Sequence, residues 1–256
     1  MSSADHVAAL IAKRADLLRV LADGPLGQRD LRDELGVSRS TVYKALRELT
    51  DEELVVERRG NYALTTSGRL LWRRHDDYRA RLRRLDDARP LLESLPDEES
   101  FPLALFERGA VALSKPHAPE EPLRRMEAID PESDVLRCVS PVAVPRYLPQ
   151  LRADLRDGTY DRVELVLVDD ALDHLAATAE GFSETRADDR CTLYRLSEAL
   201  SFGLLLFEDD LAALFGYNGG VVRGMAVSSA PEAVAWAERV YATYRAAAEP
   251  VDDGNA

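Results

Sequence analysis

The chain has 256 residues, 46% of them hydrophobic, which is enough for two domains that each bury a core. No run approaches ~20 consecutive apolar residues, so the sequence predicts no membrane-spanning helix. The start, MSSADHVAALIAKRAD, lacks the basic stretch and apolar run of a signal peptide, and we therefore expect a cytoplasmic protein.

The charge is divided unevenly along the chain. The formal net charge is −13, yet residues 1–90 hold 18 basic and 15 acidic side chains, which leaves a net charge of −16 on the rest. A polyanionic partner therefore fits the N-terminal part only. Three lysines stand against thirty arginines. This shortage and the acid excess are typical of proteins from salt-loving archaea, although a GC-rich genome alone could cause the shortage.

Cysteines and histidines give no pattern of a metal or redox site. Cys138 and Cys191 lie in apolar, strand-like runs without a C-x-x-C pair, which predicts buried reduced thiols. The four histidines lack metal-ligand spacing, and the segment 75–77, His-Asp-Asp, is predicted to be a polar helix surface. We therefore expect neither a metal nor a cofactor.

The first predicted element is a helix over roughly residues 5–22, which ends at Asp23-Gly24-Pro25. Its core-facing residues are Ile11, Leu17, Leu18 and Leu21.

Residues 27–50, GQRDLRDELGVSRSTVYKALRELT, have the pattern of a helix-turn-helix. Gly36 ends a first helix whose apolar face holds Leu31 and Leu35, because glycine tolerates positive φ. We expect Val37 in the core and Ser38 as the N-cap of a second helix. The predicted buried stripe of that helix is Val42, Ala45, Leu46 and Leu49.

The opposite face of the second helix carries donors suited to phosphates and base edges, and such motifs place this helix in the major groove. The predicted contacts with double-stranded DNA come from Ser38, Arg39, Ser40, Thr41, Tyr43, Lys44 and Arg47. Paired amphipathic helices also occur in all-α folds that bind no DNA, so the flanking sequence decides between the two interpretations.

A β-hairpin wing is predicted directly after the second helix. Its strands are residues 54–57 and 62–64, and its tip carries Arg58 and Arg59. These arginines suit phosphate or minor-groove contacts, and Thr65 is predicted to cap the next helix. The wing favours the DNA-binding interpretation.

A long charged helix is predicted from Thr66 to about Glu93. Its apolar seam consists of Leu71, His75, Tyr78, Leu82, Leu85 and Leu92, broken by Arg89. The seam could pair with a second copy to form a homodimer. It could equally dock on the C-terminal domain of its own chain, because it is short and Pro90 interrupts its end.

Beyond a polar linker at 96–100, short apolar runs alternate with helical stretches, the pattern of an α/β domain. The predicted strands are 103–106, 135–139, 162–168, 191–196, 203–208, 211–216 and 221–227. The predicted helices are 120–129, 145–157, 171–179 and 231–247. Asn218-Gly219-Gly220 is predicted to turn a hairpin, so we expect a mixed sheet.

The predicted fold class is α/β overall. Residues 1–65 form a winged helix-turn-helix DNA-binding domain, 66–95 a linker or dimerisation helix, and 101–250 a mixed-sheet domain that senses an effector.

Known catalytic patterns are absent from the second domain. The chain has no G-x-S-x-G, no G-x-x-x-x-G-K-[ST] and no G-x-G-x-x-G sequence. We therefore predict no enzyme activity. Ligands of α/β sheets bind beyond the carboxyl ends of strands, where Ser140, Asp169 and Asp170 are expected to project, although loop and capping roles suit them too. Arg195 could bind an anionic effector or pair with a carboxylate.

The first ninety residues resemble the winged-helix domain of haloarchaeal transcription regulators. The runs Cys138-Val139-Ser140-Pro141, Phe202-Gly203-Leu204-Leu205 and Ala235-Trp236-Ala237-Glu238 resemble the effector domain of the archaeal methanogenesis-regulator family. The resemblance implies a domain like the non-catalytic, phospholipase D-like domain of TrmB-like regulators, which senses ligands or dimerises. No histidine here begins the His-x-Lys motif of phospholipase D itself. Residues 51–54 depart from the glycine common before the wing strand in such regulators.

The leading hypothesis is a dimeric, sequence-specific transcription regulator with a possible small-molecule effector. Two alternatives remain at this point. One is an enzyme with an unrecognised active site in residues 101–250, and the other is a winged helix that binds protein.

Overall fold

The computed structural model describes residues 3–97, 99–208 and 210–251. Met1, Ser2 and Glu98, which belong to the predicted start and linker, lie outside the described residues. The chain divides into two compact units, Met1–Arg83 and Arg84–Ala256. The predicted combination of a winged helix-turn-helix, a long helix and a mixed α/β sheet is confirmed.

The described part of the first unit has four helices, three strands and most of a fifth helix. The helices are α1 (Ser3–Lys13), α2 (Ala15–Asp23), α3 (Gln28–Leu35), α4 (Arg39–Asp51) and α5 (Thr66–Asp87); the strands are β1 (Leu26–Gly27), β2 (Val55–Arg58) and β3 (Asn61–Leu64). The strands form an antiparallel sheet in the order β1-β3-β2.

The prediction of one continuous N-terminal helix is wrong, since the chain leaves helical geometry at Arg14 (φ −109°, ψ 20°). The break lets α1 and α2 direct apolar side chains into one core, where Leu18 and Ile11 are buried. The same core contains Leu31 of α3 and Trp72 of α5. Burying one large apolar side chain in this way stabilises the folded protein by about 1.5–3 kcal/mol relative to leaving it exposed.

The second unit is built around an eight-stranded sheet. Its helices after α5 are α6 (Arg89–Leu92), α7 (Ala104–Glu107), α8 (Glu121–Glu127), α9 (Leu148–Asp157), α10 (Asp169–Thr178), α11 (Phe182–Arg186) and α12 (Pro231–Ala247). Its strands are β4 (Ala110–Leu113), β5 (Val135–Ser140), β6 (Arg162–Val168), β7 (Cys191–Leu196), β8 (Phe202–Phe207), β9 (Leu211–Asn218), β10 (Val221–Ser228) and β11 (Glu249–Pro250).

The sheet is mixed, as predicted, with the strand order β11-β7-β6-β5-β8-β9-β10-β4. Strands β5, β6 and β7 are parallel, and β8 pairs with β5 in the antiparallel sense. The predicted hairpin turn is confirmed, because Gly219 and Gly220 both have positive φ, 57° and 78°. The carboxyl ends of three parallel strands therefore meet at one edge of the sheet.

The predicted strand at 103–106 is wrong. These residues form α7, whose first turn is closed by Leu105 N–H donating to the Pro102 carbonyl at 3.1 Å. Four consecutive apolar residues fit a buried strand or a buried turn of helix equally well, so the pattern cannot separate them. The edge strand β4, four residues further on, takes the place of the predicted strand and pairs with β10.

The long helix ends earlier than predicted. Helix α5 stops at Asp87 and the short α6 begins at Arg89, with Pro90 in its first turn. Proline lacks the N–H that would continue the hydrogen bonding of α5. Across the described residues, no helix is both long and apolar enough to span a membrane.

Candidate nucleic-acid interface and effector cleft

The start of α4 is fixed by its turn and its cap. Gly36 adopts the left-handed conformation (φ 64°, ψ 28°), and the Ser38 hydroxyl accepts a hydrogen bond from the Thr41 backbone N–H at 3.2 Å. The Ser38 hydroxyl also lies 2.9 Å from that of Ser40 and 2.8 Å from that of Thr41. The predicted cap is confirmed, and the first turn of α4 presents a cluster of hydroxyl groups.

Helix α4 separates an apolar face from a polar one, as its sequence predicts. All four members of the predicted stripe are buried: Val42, Ala45, Leu46 and Leu49. All seven residues of the predicted DNA-binding face are exposed: Ser38, Arg39, Ser40, Thr41, Tyr43, Lys44 and Arg47. Tyr43, the aromatic residue of this face, is 57% exposed.

The prediction that Val37 enters the core is wrong, since its side chain is 36% exposed. Its backbone N–H donates to the Arg32 carbonyl at 3.4 Å, which holds the residue in the turn that closes α3. Leu31, fully buried, fills the adjacent core instead. Val37 is therefore an apolar side chain at the surface, one residue before the Ser38 cap.

Glu48 attaches α4 to the junction of α1 and α2. Its Oε2 atom accepts hydrogen bonds from Arg14 Nη2 at 2.8 Å and from Lys13 Nζ at 3.1 Å. These bonds, that from Arg14 first, lower the pKa of the Glu48 carboxyl below its usual value. This contact could not be predicted from local sequence patterns, because the partners are 34 and 35 residues apart.

The wing turns at Arg59 and Gly60, which both have positive φ (54° and 81°) between the paired residues Arg58 and Asn61. Two successive positive φ values are those of a type I′ turn, which matches the twist of the strands. A non-glycine residue such as Arg59 adopts this conformation at a cost. Arg58 and Arg59 are exposed at the tip, as predicted.

A hydrogen-bonded chain joins the wing to the start of α3. The Tyr62 hydroxyl donates to Glu57 Oε2 at 3.1 Å and accepts from Gln28 Nε2 at 3.0 Å. Burial raises the pKa of the Tyr62 hydroxyl. Sequence reasoning missed these three residues, which hold the base of the wing against α3.

Helix α5 begins close against the wing. The predicted cap is confirmed, since Thr65 Oγ1 accepts from the Gly68 N–H at 2.9 Å. A Cβ atom on Gly68 would lie 1.9 Å from the Leu54 carbonyl oxygen, so only glycine allows this approach. Further along, His75 lies beside Trp72, with ring centroids 5.9 Å apart, and its Nε2 atom is buried without a hydrogen-bond partner in the described residues.

The predicted seam of α5 has two different environments. Leu71, Tyr78 and Leu82 are exposed by 39%, 58% and 45%. Leu85 and Leu92, by contrast, are partly buried against the core of the second unit. The end of the predicted seam therefore packs against the core of the second unit, and its middle is exposed.

A cleft of about 620 Å³ lies at the carboxyl ends of the parallel strands. Its carboxylates come from Asp169, Asp170 and Glu198, and none of its lining residues is basic. Tyr217 and the apolar Val142 and Val168 form part of its wall. The cleft occupies the position where α/β sheets commonly bind small molecules.

Of the four predicted ligand-binding residues, Asp169 and Asp170 line this cleft. Ser140 does not line it, and its buried hydroxyl donates to the Val142 carbonyl at 2.7 Å. Arg195 does not line it either, because its guanidinium pairs with Asp169 at 3.2 Å and Asp173 at 2.9 Å. Arg195 therefore has the carboxylate partners that its sequence context allowed.

Both cysteines are free, and burial raises the pKa of each thiol, Cys138 and Cys191, to about 12. Thiols in this state are weak nucleophiles at neutral pH. Within the described ranges, no group of three or more His, Cys, Asp or Glu side chains is placed to hold a metal ion.

Two family profiles match the chain. Residues 4–87 match the HVO_A0261 N-terminal domain, and residues 119–247 match the middle domain of the methanogenesis regulatory protein FilR1. A curated relative, the methanogenesis regulatory protein FilR1 of Methanothrix harundinacea (strain 6Ac), is 24% identical over 257 residues. The alignment covers 94% of this chain and 56% of the relative, so the chain spans just over half of that protein's length.

Similar solved structures are more distant. The archaeal chromatin protein TrmBL2 has 14% identity and a TM-score of 0.44, with 97% of this chain and 100% of that chain covered. The phospholipase D family member Nuc of Salmonella typhimurium has 12% identity and a TM-score of 0.42, with 57% of this chain and 99% of that chain covered. The predicted family resemblance is confirmed by the match at 119–247, and the chain belongs to the family of the FilR1 middle domain.

Proposed function

We propose that this protein is a sequence-specific DNA-binding transcription regulator. The observation that carries the proposal is the exposed polar face of α4, where two arginines, a lysine and the hydroxyl cluster project from a helix whose other face is buried. A surface of this kind reads base edges in the major groove. The relative of Methanothrix harundinacea is described as a regulatory protein, which supports the same function.

Different residues of the first unit take different roles in this proposal. Bases or phosphates in the major groove are contacted by Arg39, Tyr43, Lys44 and Arg47. The start of α4 is held on the DNA backbone by the hydroxyls of Ser38, Ser40 and Thr41. On the wing, Arg58 and Arg59 contact the flanking backbone or minor groove. Loss of one bidentate base contact costs about 1–3 kcal/mol.

The test is selection of sheared genomic DNA by the purified full chain, followed by sequencing of the captured fragments. Enrichment of a common sequence supports the proposal, and Arg39→Ala and Arg47→Ala should weaken binding to it. Arg19→Ala, an exposed arginine on α2, is the matched control and should bind as the wild type does. No enrichment by a folded protein would reject the proposal and favour a winged helix that binds protein.

We also propose that the protein acts as a homodimer through the exposed part of the α5 seam. Leu71, Tyr78 and Leu82 present an apolar strip to solvent on a long helix. A dimer would place two copies of α4 on two half-sites of one operator. Sedimentation equilibrium of the full chain tests this, because Leu71→Ser with Leu82→Ser should leave a folded monomer.

The effector of this proposal binds in the cleft of the second unit. Three carboxylates and the absence of a basic lining residue disfavour phosphorylated or carboxylate ligands and favour a neutral or cationic small molecule. A thermal-shift screen tests this, because a ligand at about 100 times its dissociation constant stabilises the protein by about 2.7 kcal/mol. Asp170→Asn should weaken the binding of a true effector to the cleft. That effector should also change the affinity of the protein for DNA, since coupling between two binding sites is reciprocal.

A further inference from the structure

Tyr62 lies where α3, α4 and the wing come together. It belongs to β3, the central strand of the small sheet, and pairs with Leu26 of β1 on one side and with Glu57 of β2 on the other. Its hydroxyl also contacts Gln28, the first residue of α3. Burial, then Glu57 and then the charge of Tyr43 on α4 raise the pKa of the Tyr62 hydroxyl, so Tyr43 is near it. One side chain therefore lies next to all three elements.

Two hydrogen bonds of the Tyr62 hydroxyl attach the wing to α3. The hydroxyl donates to Glu57 Oε2 at 3.1 Å and accepts from Gln28 Nε2 at 3.0 Å. Because Tyr62 and Glu57 are directly opposite in the pairing of β2 with β3, the first bond links the two strands of the wing. The second bond links these strands to α3. We use the name wing tie for Gln28, Glu57 and Tyr62.

The wing tie acts close to the tip of the wing. Its pair of Glu57 with Tyr62 comes one position before the last pair, Arg58 with Asn61. The tip also runs beside the start of α3, since a Cβ atom on Gly27 would lie 3.5 Å from Asn61 Oδ1. Strands β2 and β3 have four residues each, and so short a hairpin is marginally stable in water without other support. The wing tie therefore limits the motion of the tip relative to α3.

We infer that the wing tie is a positioning element for DNA binding, which holds Arg58 and Arg59 where the wing and α4 can contact one duplex together. Tyr62 acts in this inference through the wing and not by contacting DNA. Ordering a mobile segment at an interface is a cost to binding, and a segment that is already held in place avoids this cost. The inference rests on the proposed function.

A positioning role and a purely structural role of Tyr62 have different consequences for affinity. If Tyr62 places the wing tip, its effect on DNA affinity requires the two arginines of the tip and disappears when they are removed. If Tyr62 only stabilises the fold, its loss weakens binding by the same factor with or without these arginines. A double-mutant cycle separates the two roles.

The test measures the dissociation constant of the full chain for a duplex of the sequence enriched from genomic DNA, by fluorescence anisotropy. Tyr62→Phe removes both hydrogen bonds and keeps the ring, and it is made in the wild type, in Arg47→Ala and in a wing-tip variant. The wing-tip variant is Arg58→Asn with Arg59→Asn, because asparagine tolerates the positive φ of position 59. The matched control is Tyr160→Phe, which removes a tyrosine hydroxyl from the second unit.

We expect Tyr62→Phe to weaken binding about three- to tenfold in the wild type and in Arg47→Ala, the range expected for the loss of a hydrogen-bonded contact. In the wing-tip variant the same change should have an effect of less than about twofold. Tyr160→Phe should bind as the wild type does. Equal weakening by Tyr62→Phe in all three proteins, or weakening in none, would overturn the inference. Unchanged affinity of the wing-tip variant would overturn it too.

Hydrogen exchange of the free protein measures the loosening of the wing without DNA. Amides of residues 55–64 should exchange faster in Tyr62→Phe, while amides of residues 39–51 should keep their rates. Unchanged exchange in the wing would contradict the inference. If Tyr62→Phe lowers the melting temperature, Gln28→Ala replaces it in the cycle, because this change removes only the bond from α3, and it should give the same pattern.

The failure of this inference can be separated from failure of the proposed function. Capture of a common genomic sequence, together with equal effects of Tyr62→Phe in every protein, leaves the DNA-binding function intact and overturns the role of the wing tie. No capture of any sequence by the folded wild type rejects the DNA-binding function, and the positioning role is rejected with it.

Discussion

Arg14 and Glu48 form a contact that connects α4 to the break between α1 and α2, with Nη2 and Oε2 2.8 Å apart. Arg14 is the residue at which the N-terminal helix breaks, and Glu48 is a half-buried residue of α4, next in sequence to the buried Leu49. The pair therefore ties the C-terminal half of α4 to the N-terminal helices.

Replacing Glu48 with Gln should loosen α4. Hydrogen exchange of the amides of residues 39–51 should accelerate, while Glu34→Gln, an exposed control on α3, should leave it unchanged. The pKa of Glu48 is lower in the folded state than its ordinary value of 4.5, so the stabilisation is present above that pH and is lost as the pH falls through the folded-state pKa. Equal amide protection of the wild type and Glu48→Gln at every pH from neutral to acidic would contradict this role.

A methyl group at Gly68 should disrupt the packing of α5 against the wing. In Gly68→Ala the new Cβ would meet the Leu54 carbonyl oxygen at 1.9 Å, and backbone cannot move aside as a flexible side chain can. We expect a loss of about 1–3 kcal/mol or more in urea unfolding. Ser67→Ala, the exposed neighbour, should be neutral or slightly stabilising, because alanine favours helix. Similar stabilities for the two variants would show that the close approach is not required.

Arg59 should combine a cost in stability with a role in binding. Its φ of 54° suits asparagine better than arginine, so Arg59→Asn should stabilise the fold by about 0.5–1 kcal/mol. The same change removes a predicted phosphate contact, and the slope of log affinity against log salt should fall by about 1. Arg58→Asn is the control, because Arg58 lacks positive φ and should lose affinity without gaining stability. A stabilised Arg59→Asn protein with unchanged binding would remove the wing tip from the interface.

His75 should make stability depend on pH in a predictable direction. Burial, and then the charge of Arg79, lower its pKa from the ordinary value of 6.5. The unfolded chain therefore binds more protons below that pH, and the free energy of unfolding should fall as the pH falls from neutral to about 5. His75→Gln should reduce this dependence, and His174→Gln, at an exposed position, should retain it. An unaltered pH profile in His75→Gln would contradict the lowered pKa.

Elements with strong local signals could be predicted from the sequence. The bounds of β6 and α12 agree with prediction, because one is an apolar run of strand length and the other is a long helix that begins at Pro231. The two-residue strand β1 has no pattern of its own, and only its pairing with β3 defines it. The prediction for residues 103–106 failed for a related reason, since four consecutive apolar residues have no periodicity that separates helix from strand.

The candidate sites differ in the same way: one follows from local sequence, and the others depend on tertiary contacts. The exposed face of α4 follows from helical periodicity, which places polar and apolar residues on opposite sides before any tertiary contact forms. The pairing of Arg195 with Asp169 and Asp173 depends on how α10 packs beside β7, and nothing local encodes it. The Tyr62 contacts to Glu57 and Gln28 depend likewise on the assembled wing and α3.

The most direct measurement of the central claim is a binding profile on the captured operator in which each base pair is changed in turn. Wild-type protein should lose affinity at a defined set of positions, and Arg47→Ala should lose about 1–3 kcal/mol of discrimination at one or two of them while its melting temperature is retained. Lys115→Ala, in the second unit, should reproduce the wild-type profile. Identical profiles for Arg47→Ala, Arg39→Ala and the wild type would contradict the assignment of α4 as the helix that reads DNA.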